Sequence, residues 1–222
     1  MSLVEITERR HGVFIELAYG TKNNFTGKPV YARPACFLHA AAAKMLTRAV
    51  ELAAGIGLKI KIFDAFRPSE AQWVLWNHTP DPDFLADPSP AKGSPHSRAV
   101  AVDLTLTGRD GLDLDMGTAF DAFTPASHHG NMDVGPQAQR NRIVLLGLMS
   151  AAGWDFYAKE WWHYQLFASR DYALLDDACL PAGKRMMGSD HSNNSAGVIE
   201  GQPGGAGMKP RRIADAEIAE KI

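Results

Sequence analysis

The sequence predicts an α+β domain with a largely antiparallel sheet flanked by helices. Segments with strand character and segments with helix character are mixed without regular βαβ alternation, and long connections separate them. The chain has 222 residues, and its apolar fraction of 45% is enough for one domain with a sizeable core. We therefore expect a single compact domain.

The first elements are two strands with a helix between them. Residues 13–19 (VFIELAY) are β-prone, whereas the turn formers in 23–35 predict a long loop. Residues 36–55 are rich in alanine, space their apolar residues as a helix does and end at a glycine, so they predict a helix. Residues 58–66 alternate apolar and polar side chains, as a half-buried strand does.

The next elements begin with a short helix, SEAQWVLWNH, which Ser69 can cap. Residues 79–95 contain five prolines and predict a long loop. The alternating, β-branched residues 99–107 predict a strand, and 137–153 predict a helix that ends at a glycine. Residues 161–167 (WWHYQLF) predict an aromatic-rich strand.

The character of the chain changes near residue 181. Residues 181–212 hold seven of the 20 glycines and show no apolar period. We therefore predict a domain over residues 1–180, followed by a flexible tail over residues 181–222 that is rich in Gly, Ser and Asn.

Charge and composition restrict the class of partner. The net charge of −2 gives no electrostatic reason to expect binding to nucleic acid or to an anionic membrane, so a small-molecule partner is expected. The first residues, MSLVEITERRHG, carry charges where a secretion signal needs an apolar core, which predicts a cytoplasmic protein. Cys36 and Cys179 lie in no redox or metal spacing and are interpreted as buried thiols. The oligomeric state stays open, and a homo-oligomer is one option.

His96 and Asp103 are the first residues that could take part in catalysis or metal binding. Asp103 lies within a predicted strand between Val102 and Leu104, so it faces away from those two apolar side chains. It lies either on a solvated face or in a site where a cation, hydrogen bonds or a metal compensate its charge. His96 is an odd number of residues before Asp103, so it must reach any shared site from the turn that precedes the strand.

Glu160 and His163 form the second group, in KEWWHYQL (159–166). Read alone, this stretch is typical of an aromatic core strand with polar edges. Together with His96 and Asp103 it completes two histidines and one carboxylate, a standard ligand set for catalytic zinc, and a second carboxylate that can act as general base. A spacing of three separates Glu160 from His163 across a regular strand, so we expect Glu160 to lie before the strand or at a bend.

Arg67 is the third feature, at the end of a predicted strand and before a proline. A fixed arginine near a metal can stabilise the oxyanion of a tetrahedral intermediate. The alternative is a structural salt bridge, with Asp64 as the candidate partner.

These stretches belong to motifs that resemble those of the VanX-type D-alanyl-D-alanine dipeptidases. The resemblance runs in order from about residue 13 to residue 168. The motifs are ELAYGTKNNFTGKPVY (16–31), DAFRP (64–68), SPHSRAVAVDLTL (94–106), MGTAFDAF (116–123) with SHHG (127–130), and EWWHY (160–164).

The resemblance implies an α+β zinc-peptidase domain of the kind shared with D,D-carboxypeptidases and the hedgehog signalling domain. It places the ligands of one zinc ion per subunit at His96, Asp103 and His163. It places the catalytic base at Glu160 and the transition-state arginine at Arg67. It also suggests three residues that line the dipeptide pocket: Tyr19, Ser94 and Asp121.

The chain departs from the family pattern at two positions near the first histidine. Pro95 replaces a small polar residue, and Ala99 replaces the glycine that usually follows the Ser-Arg pair. Neither change removes a functional group, but both bear on the loop that holds His96. The residues beyond about 181 have no counterpart in the resemblance.

The function that the resemblance implies is zinc-dependent hydrolysis of D-alanyl-D-alanine, in cell-wall dipeptide recycling or in glycopeptide resistance. One alternative is a D,D-carboxypeptidase that acts on longer wall peptides, which the predicted cytoplasmic location disfavours. Another is a non-catalytic zinc-binding module, which the presence of both Glu160 and Arg67 disfavours.

Overall fold

The computed structural model describes residues 2–188, which contain seven strands and four α-helices. In chain order they are β1 (Leu3–Glu5), α1 (Glu8–His11), β2 (Phe14–Ile15), β3 (Phe37–His39), α2 (Ala40–Gly55), β4 (Lys59–Asp64), α3 (Ser69–His78), β5 (Ala101–Thr107), α4 (Pro136–Ala151), β6 (Asp155–Phe156) and β7 (His163–Gln165).

The main sheet has five strands in the order β2-β4-β5-β7-β6. The β2–β4 pair is parallel, and the other three neighbouring pairs are antiparallel. The strands β1 and β3 form a separate antiparallel pair. The predicted α+β class with a largely antiparallel sheet is therefore confirmed for the described residues.

The main apolar cluster lies between the sheet and the long helices α2 and α4. Val102 and Leu104 of β5 are fully buried there together with Leu46 of α2 and Leu145 of α4. Since side chains alternate along a strand, Asp103 lies on the opposite face of β5, away from this cluster. One face of the sheet thus builds the core, and the other is available for a site.

A second apolar cluster surrounds α3. It contains Tyr19 and Tyr31 from the N-terminal part of the chain, Phe66 from the segment after β4, and Leu75 of α3. These buried side chains support the segment from Phe66 to Ser69, which contains Arg67. The position of Arg67 is therefore fixed by a core of its own.

A β-bulge interrupts the pairing of β4 with β5. Ile62 pairs with Leu104, but Asp64, two residues further on, pairs with Asp103, the adjacent residue of β5. In unbroken alternation Asp64 would share a face with Ile60 and Ile62, which pack in the main cluster. The extra residue moves Asp64 to the face of Asp103.

Several predicted elements differ in length from the observed ones. The strand predicted over 13–19 is regular only at β2, because Ala18–Gly20 form a 3₁₀ turn that buries Tyr19. The start of the helix predicted over 36–55 is instead β3, where pairing with β1 overrides local helix propensity. In 161–167 only β7 is extended, and the two tryptophans precede it in a turn.

The chain stays packed beyond the boundary predicted after residue 180. Met186 and Met187 are buried, and their backbone N–H groups donate to the carboxylate of Asp177 at 2.6 and 3.1 Å. The rest of the predicted tail, residues 189–222, lies outside the described residues. The division into a domain and a flexible tail stays a prediction.

Two further features concern the cysteines and the helices. Both cysteines are free: Cys36 is buried as predicted, whereas Cys179 is exposed, so the prediction for Cys179 was wrong. None of the helices within residues 2–188 has the length and the apolar character that a membrane crossing requires.

Gly117 is expected to be required for the loop that leads to Asp121. It has a φ of +78°, and a Cβ placed there would lie 2.7 Å from Cβ of Val134. The change Gly117→Ala therefore adds overpacking to the cost of a left-handed backbone, and we expect a loss of about 3 kcal/mol in the free energy of unfolding. Equilibrium denaturation in urea measures this loss.

Gly27→Ala is the matched control. Gly27 has a φ of +68°, but no atom lies within 4 Å of the added Cβ. It isolates the backbone cost, which should be about 1 kcal/mol. Equal losses at the two positions would show that the contact with Val134 does not constrain Gly117.

Candidate active site

Three acidic or imidazole side chains lie side by side on one face of the sheet. Asp103 of β5 pairs with Asp64 of β4 on one side and with His163 of β7 on the other. Directly opposed residues of antiparallel strands point to the same face, so the three side chains form a row. We call Asp64, Asp103 and His163 the site row; all three are buried.

His96 joins the site row from the turn before β5, as the sequence predicted. The turn is a 3₁₀ helix over His96–Arg98 that ends at Ala99, whose φ is +56°. The backbone carbonyl of Ala65 accepts a hydrogen bond from Nδ1 of His96 at 2.7 Å. This bond turns Nε2 of the same ring toward the sheet.

Three ligand atoms converge on one point. Nε2 of His96 lies 3.1 Å from Nδ1 of His163 and 3.2 Å from Oδ1 of Asp103, and the last two atoms are 3.1 Å apart. No other group of three or more His, Cys, Asp or Glu side chains within residues 2–188 converges closely enough to hold a metal ion.

The hydrogen bonds on the outer side of each ring assign the protons. Nδ1 of His96 faces the carbonyl of Ala65, and Nε2 of His163 faces Oε1 of Gln165 at 3.1 Å. Both partners only accept, so these outer nitrogens carry the hydrogens. In the neutral rings the inner nitrogens then present lone pairs to each other and to Asp103. This arrangement is repulsive without a cation, and it suits a metal ion.

The pKa shifts of Asp103 and His163 also favour a positive charge at the centre of the cluster. Burial opposes ionisation of Asp103, but the neighbouring His96 and His163 outweigh burial and lower the pKa of Asp103 below its usual range. Burial would lower the pKa of His163, but the hydrogen bond and charge of Asp103 outweigh it and raise that pKa. The carboxylate thus stays ionised and attracts a cation.

Glu160 lies beside the ligand atoms without joining them. It precedes β7 in a turn, as its spacing predicted, and its Oε2 is 3.9 Å from Nδ1 of His163. Burial, together with the charge of Asp103, raises the pKa of Glu160 to about 8, although His163 and Arg67 oppose the shift. A metal ion between the ligands would lower this pKa, because it brings positive charge close to the carboxylate.

Arg67 contacts the site row at Asp64 and Asp103. Its Nε and Nη2 both donate to Oδ2 of Asp64 at 2.8 Å, and Nη2 lies 3.5 Å from Oδ2 of Asp103. Its guanidinium carbon lies 4.8 Å from the centre of the Tyr19 ring. The salt bridge with Asp64, which was the alternative interpretation, exists, and the same arginine also lines the cavity described next.

A cavity of about 260 Å³ opens beside the ligand atoms. All eight site residues suggested by the sequence line it: Tyr19, Arg67, Ser94, His96, Asp103, Asp121, Glu160 and His163. Aromatic side chains form much of the remaining wall: Phe84, Phe123, Tyr157 and Trp162. The geometry therefore brings together residues that are up to 144 positions apart in the chain.

Asp121 contributes an unusual carboxyl group to this cavity. Its φ is +60°, a left-handed conformation that is strained in a residue with a side chain. The hydroxyl of Tyr19 donates to Oδ1 at 3.1 Å, whereas Oδ2 has no hydrogen-bond partner among the described residues. Burial and the charge of Asp103 raise the pKa of Asp121 well above its usual range. An ionised Asp121 would therefore be stabilised by a positive group next to it.

The two departures from the family motifs, Pro95 and Ala99, flank the turn that holds His96. Ala99 has the left-handed backbone conformation that favours glycine, which explains why glycine is usual there and why alanine carries strain. Pro95 begins the turn, and its carbonyl accepts from the N–H groups of Arg98 and Val100, which a proline allows. Both residues therefore maintain the turn that holds His96.

Some residues with a supporting role were not singled out from the sequence. Gln165 contacts His163, Gln72 contacts Arg67, and Tyr31 donates to Oδ1 of Asp64 at 2.8 Å. For Gln165 a signal was present, because it lies two residues after His163 on the same strand face. Gln72 and Tyr31 gave no such signal, since only the tertiary fold brings them to the site.

Comparison with known proteins agrees with the geometry. The model of the peptidase M15 family, described as D-ala-D-ala dipeptidase, matches residues 1–178. The D-alanyl-D-alanine dipeptidase of Escherichia coli (strain K12) is 42% identical over 163 residues, which cover 73% of this chain and 83% of that protein. The enzyme of the same name from Enterococcus faecium is 34% identical over 175 residues, covering 70% and 87%. That of Enterococcus faecalis is 32% identical over 180 residues, covering 72% and 89%. The chain belongs to the peptidase M15 family of D-ala-D-ala dipeptidases.

Proposed function

We propose that the protein hydrolyses the dipeptide D-alanyl-D-alanine with one zinc ion as cofactor. The observation that carries the proposal is the convergence of three lone-pair donors beside a buried carboxyl group and an arginine in one small cavity. The similar proteins named as D-alanyl-D-alanine dipeptidases support the choice of substrate. Such a reaction would act on a building block of the bacterial cell wall.

We propose that His96, Asp103 and His163 hold the zinc ion. Two imidazoles and one carboxylate are a ligand set of catalytic zinc sites, which leave one position open. Ligands at the usual zinc distances form a tetrahedron with edges of about 3.3 Å. The observed separations of 3.1, 3.1 and 3.2 Å are close to that value.

Glu160 is proposed as the general base. A zinc ion at this site would lower the pKa of water towards about 7 and polarise the peptide carbonyl. The carboxylate of Glu160 accepts the proton of the attacking water and then delivers it to the nitrogen of the leaving D-alanine. Its burial suits this exchange, because burial raises the pKa of Glu160 and so opposes the lowering that a metal ion would bring.

Arg67 is proposed to stabilise the negative charge that develops on the carbonyl oxygen. Nε and Nη2 are occupied by Asp64 and Asp103, whereas Nη1 makes one described hydrogen bond and has a second hydrogen free. A pre-oriented donor of this kind is most effective in a cavity that excludes water.

The cavity is proposed to bind the two ends of a free dipeptide. Asp121 would receive the ammonium group, and Tyr19 would orient Asp121 through the hydrogen bond that its hydroxyl donates. Ser94, whose Oγ accepts from the N–H of His96 at 3.2 Å, is left to donate to the carboxylate of the substrate. At about 260 Å³ the cavity is smaller than most ligand pockets, which favours a dipeptide over a longer wall peptide.

A substrate panel tests the reaction class. We expect hydrolysis of D-alanyl-D-alanine and little or none of its L,L isomer or of a longer peptide that ends in two D-alanines. A chelator should abolish the activity, and added zinc should restore it. Release of free D-alanine, followed by chromatography, is the measurement. Equal rates on the three substrates would contradict the proposal, and preference for the longer peptide would indicate a D,D-carboxypeptidase.

Glu160→Gln tests the general base. The change removes the proton acceptor but keeps the size of the side chain, so kcat should fall by about 10²- to 10⁴-fold while zinc stays bound. Steady-state kinetics and the zinc content of the same sample measure both effects. Glu16→Gln, at an exposed glutamate, is the control and should leave kcat unchanged. Activity that survives in Glu160→Gln would exclude Glu160 as the base.

His163→Ala tests the ligand set. With one of three protein ligands removed, the variant should keep less than a tenth of the zinc of the wild-type chain after dialysis against a weak chelator. Atomic absorption gives the zinc per chain. His78→Ala removes an exposed histidine and should retain one ion per chain. Full occupancy in His163→Ala would refute the assignment.

A further inference from the structure

Gln72 is a buried polar residue in the first turn of α3. It is 1% exposed, so neither end of its amide reaches solvent. Oε1 accepts a hydrogen bond from Nη1 of Arg67 at 2.9 Å, and Nε2 donates to the backbone carbonyl of Ala86 at 2.8 Å. One side chain thus bridges the arginine and the segment that contains Ala86.

The bond to Gln72 helps to set the direction in which Arg67 presents its free hydrogen. Asp64 accepts hydrogen bonds from both Nε and Nη2 at 2.8 Å, so those two nitrogens are already engaged. Nη1 has no carboxylate partner among the described residues, and Gln72 accepts one of its two hydrogens. Because the guanidinium is planar, the bonds to Asp64 and the bond to Gln72 together fix the direction of the other hydrogen.

Ala86 belongs to the long loop over residues 79–95. Pro82, Phe84, Leu85 and Ala86 of this loop all line the cavity. Elsewhere the loop is attached to the turn that carries Glu160: the hydroxyl of Tyr157 donates to the carbonyl of Asp83 at 3.0 Å, and Nζ of Lys159 lies 2.7 Å from its carboxylate. The loop is therefore tied to the Glu160 turn at Asp83 and to Arg67, through Gln72, at Ala86.

We propose that Gln72 is a positioning residue that couples enclosure of the substrate by the 79–95 loop to the orientation of Arg67. When the loop closes on the cavity, the carbonyl of Ala86 holds the amide of Gln72, and the amide holds Nη1 of Arg67. When the loop moves away, the amide loses one partner, and Arg67 keeps its bonds to Asp64 but holds Nη1 less firmly. The inference rests on the proposed function of Arg67.

Gln72→Met tests the coupling, because methionine fills a similar volume without either hydrogen bond. We expect kcat for D-alanyl-D-alanine to fall by about 10- to 100-fold, since a small misplacement of a catalytic group is costly. In the Arg67→Ala background the same change should lower kcat no further. Amide hydrogen exchange of residues 83–86 should become faster in both backgrounds, whether or not Arg67 is present.

Gln72→Glu separates loss of the bond to Arg67 from general damage. Its carboxyl group accepts from Nη1 in either protonation state but cannot donate to the carbonyl of Ala86 once it is ionised. We therefore expect kcat to recover in part relative to Gln72→Met, while amide exchange in the loop stays fast. Should Gln72→Met fail to fold, Gln72→Asn replaces it, since asparagine is one methylene too short to reach both partners. Gln137→Met, at an exposed glutamine in the first turn of α4, is the matched control and should change neither kcat nor exchange.

The outcomes distinguish this inference from the proposed function. If the wild-type chain does not hydrolyse the dipeptide, the proposed function fails, and the coupling fails with it. If Arg67→Ala keeps the wild-type kcat, the role of Arg67 fails. If Arg67→Ala is impaired but Gln72→Met is not, only the coupling is overturned. Equal proportional losses from Gln72→Met with and without Arg67 would also overturn it, because a purely structural role predicts them.

Discussion

The buried carboxylate of Asp103 is the interaction on which the rest of the site depends. It lies at the centre of the sheet and is 3% exposed, so its charge must be balanced by its neighbours. His96 and His163 lie on one side of it and Arg67 on the other. Each of these neighbours is in turn fixed by an acceptor: the carbonyl of Ala65, the amide of Gln165 and the carboxylate of Asp64. The arrangement of the site is therefore set by the groups that compensate the charge of Asp103.

The bulge in β4 makes this compensation possible without cost to the core. Strand alternation gives one face of β5 to Val102 and Leu104 and the other to Asp103. On β4 the same alternation would place Asp64 among the apolar side chains, where an ion pair with Arg67 could not form. One inserted residue transfers Asp64 to the site row and leaves Ile60 and Ile62 in the core. Because of this local irregularity of the sheet, Arg67 can form the salt bridge with Asp64 and line the cavity at the same time.

The sequence predicted the class of fold and much of the placement of the site residues. The elements and residues that it did not predict share a cause. The reach of His96 from a turn and the position of Glu160 before β7 followed from the period of two along a strand, which is local information. The pair of β1 with β3 escaped prediction because three-residue strands are stabilised by a partner that lies far away in the chain. Gln72 escaped for the same reason, since both of its partners are set by tertiary packing. Neither the bulge nor the buried end of the described chain at Met186 had a composition that distinguished it.

Charge balance connects the proposed metal, the proposed substrate and protonation. Four carboxyl groups are buried or half-buried at the site. Asp103, Asp121 and Glu160 line the cavity with Arg67, and Asp64 forms a salt bridge with that arginine. Burial raises the pKa of Glu160 to about 8 and that of Asp121 well above its usual range, so without further cations the cavity reduces its charge by taking up protons. A divalent ion at the three ligands would supply two positive charges, which with Arg67 leave one of the four carboxylates uncompensated. An ammonium at Asp121 would face that charge, while the carboxylate at the other end of the dipeptide adds one negative charge of its own. Binding of the ion would favour the ionised form of Glu160, which is the form that acts as a base, and the ammonium end of the dipeptide would compensate the charge of Asp121. The excess of carboxyl groups at the site thus favours binding of the cations that the proposed reaction requires.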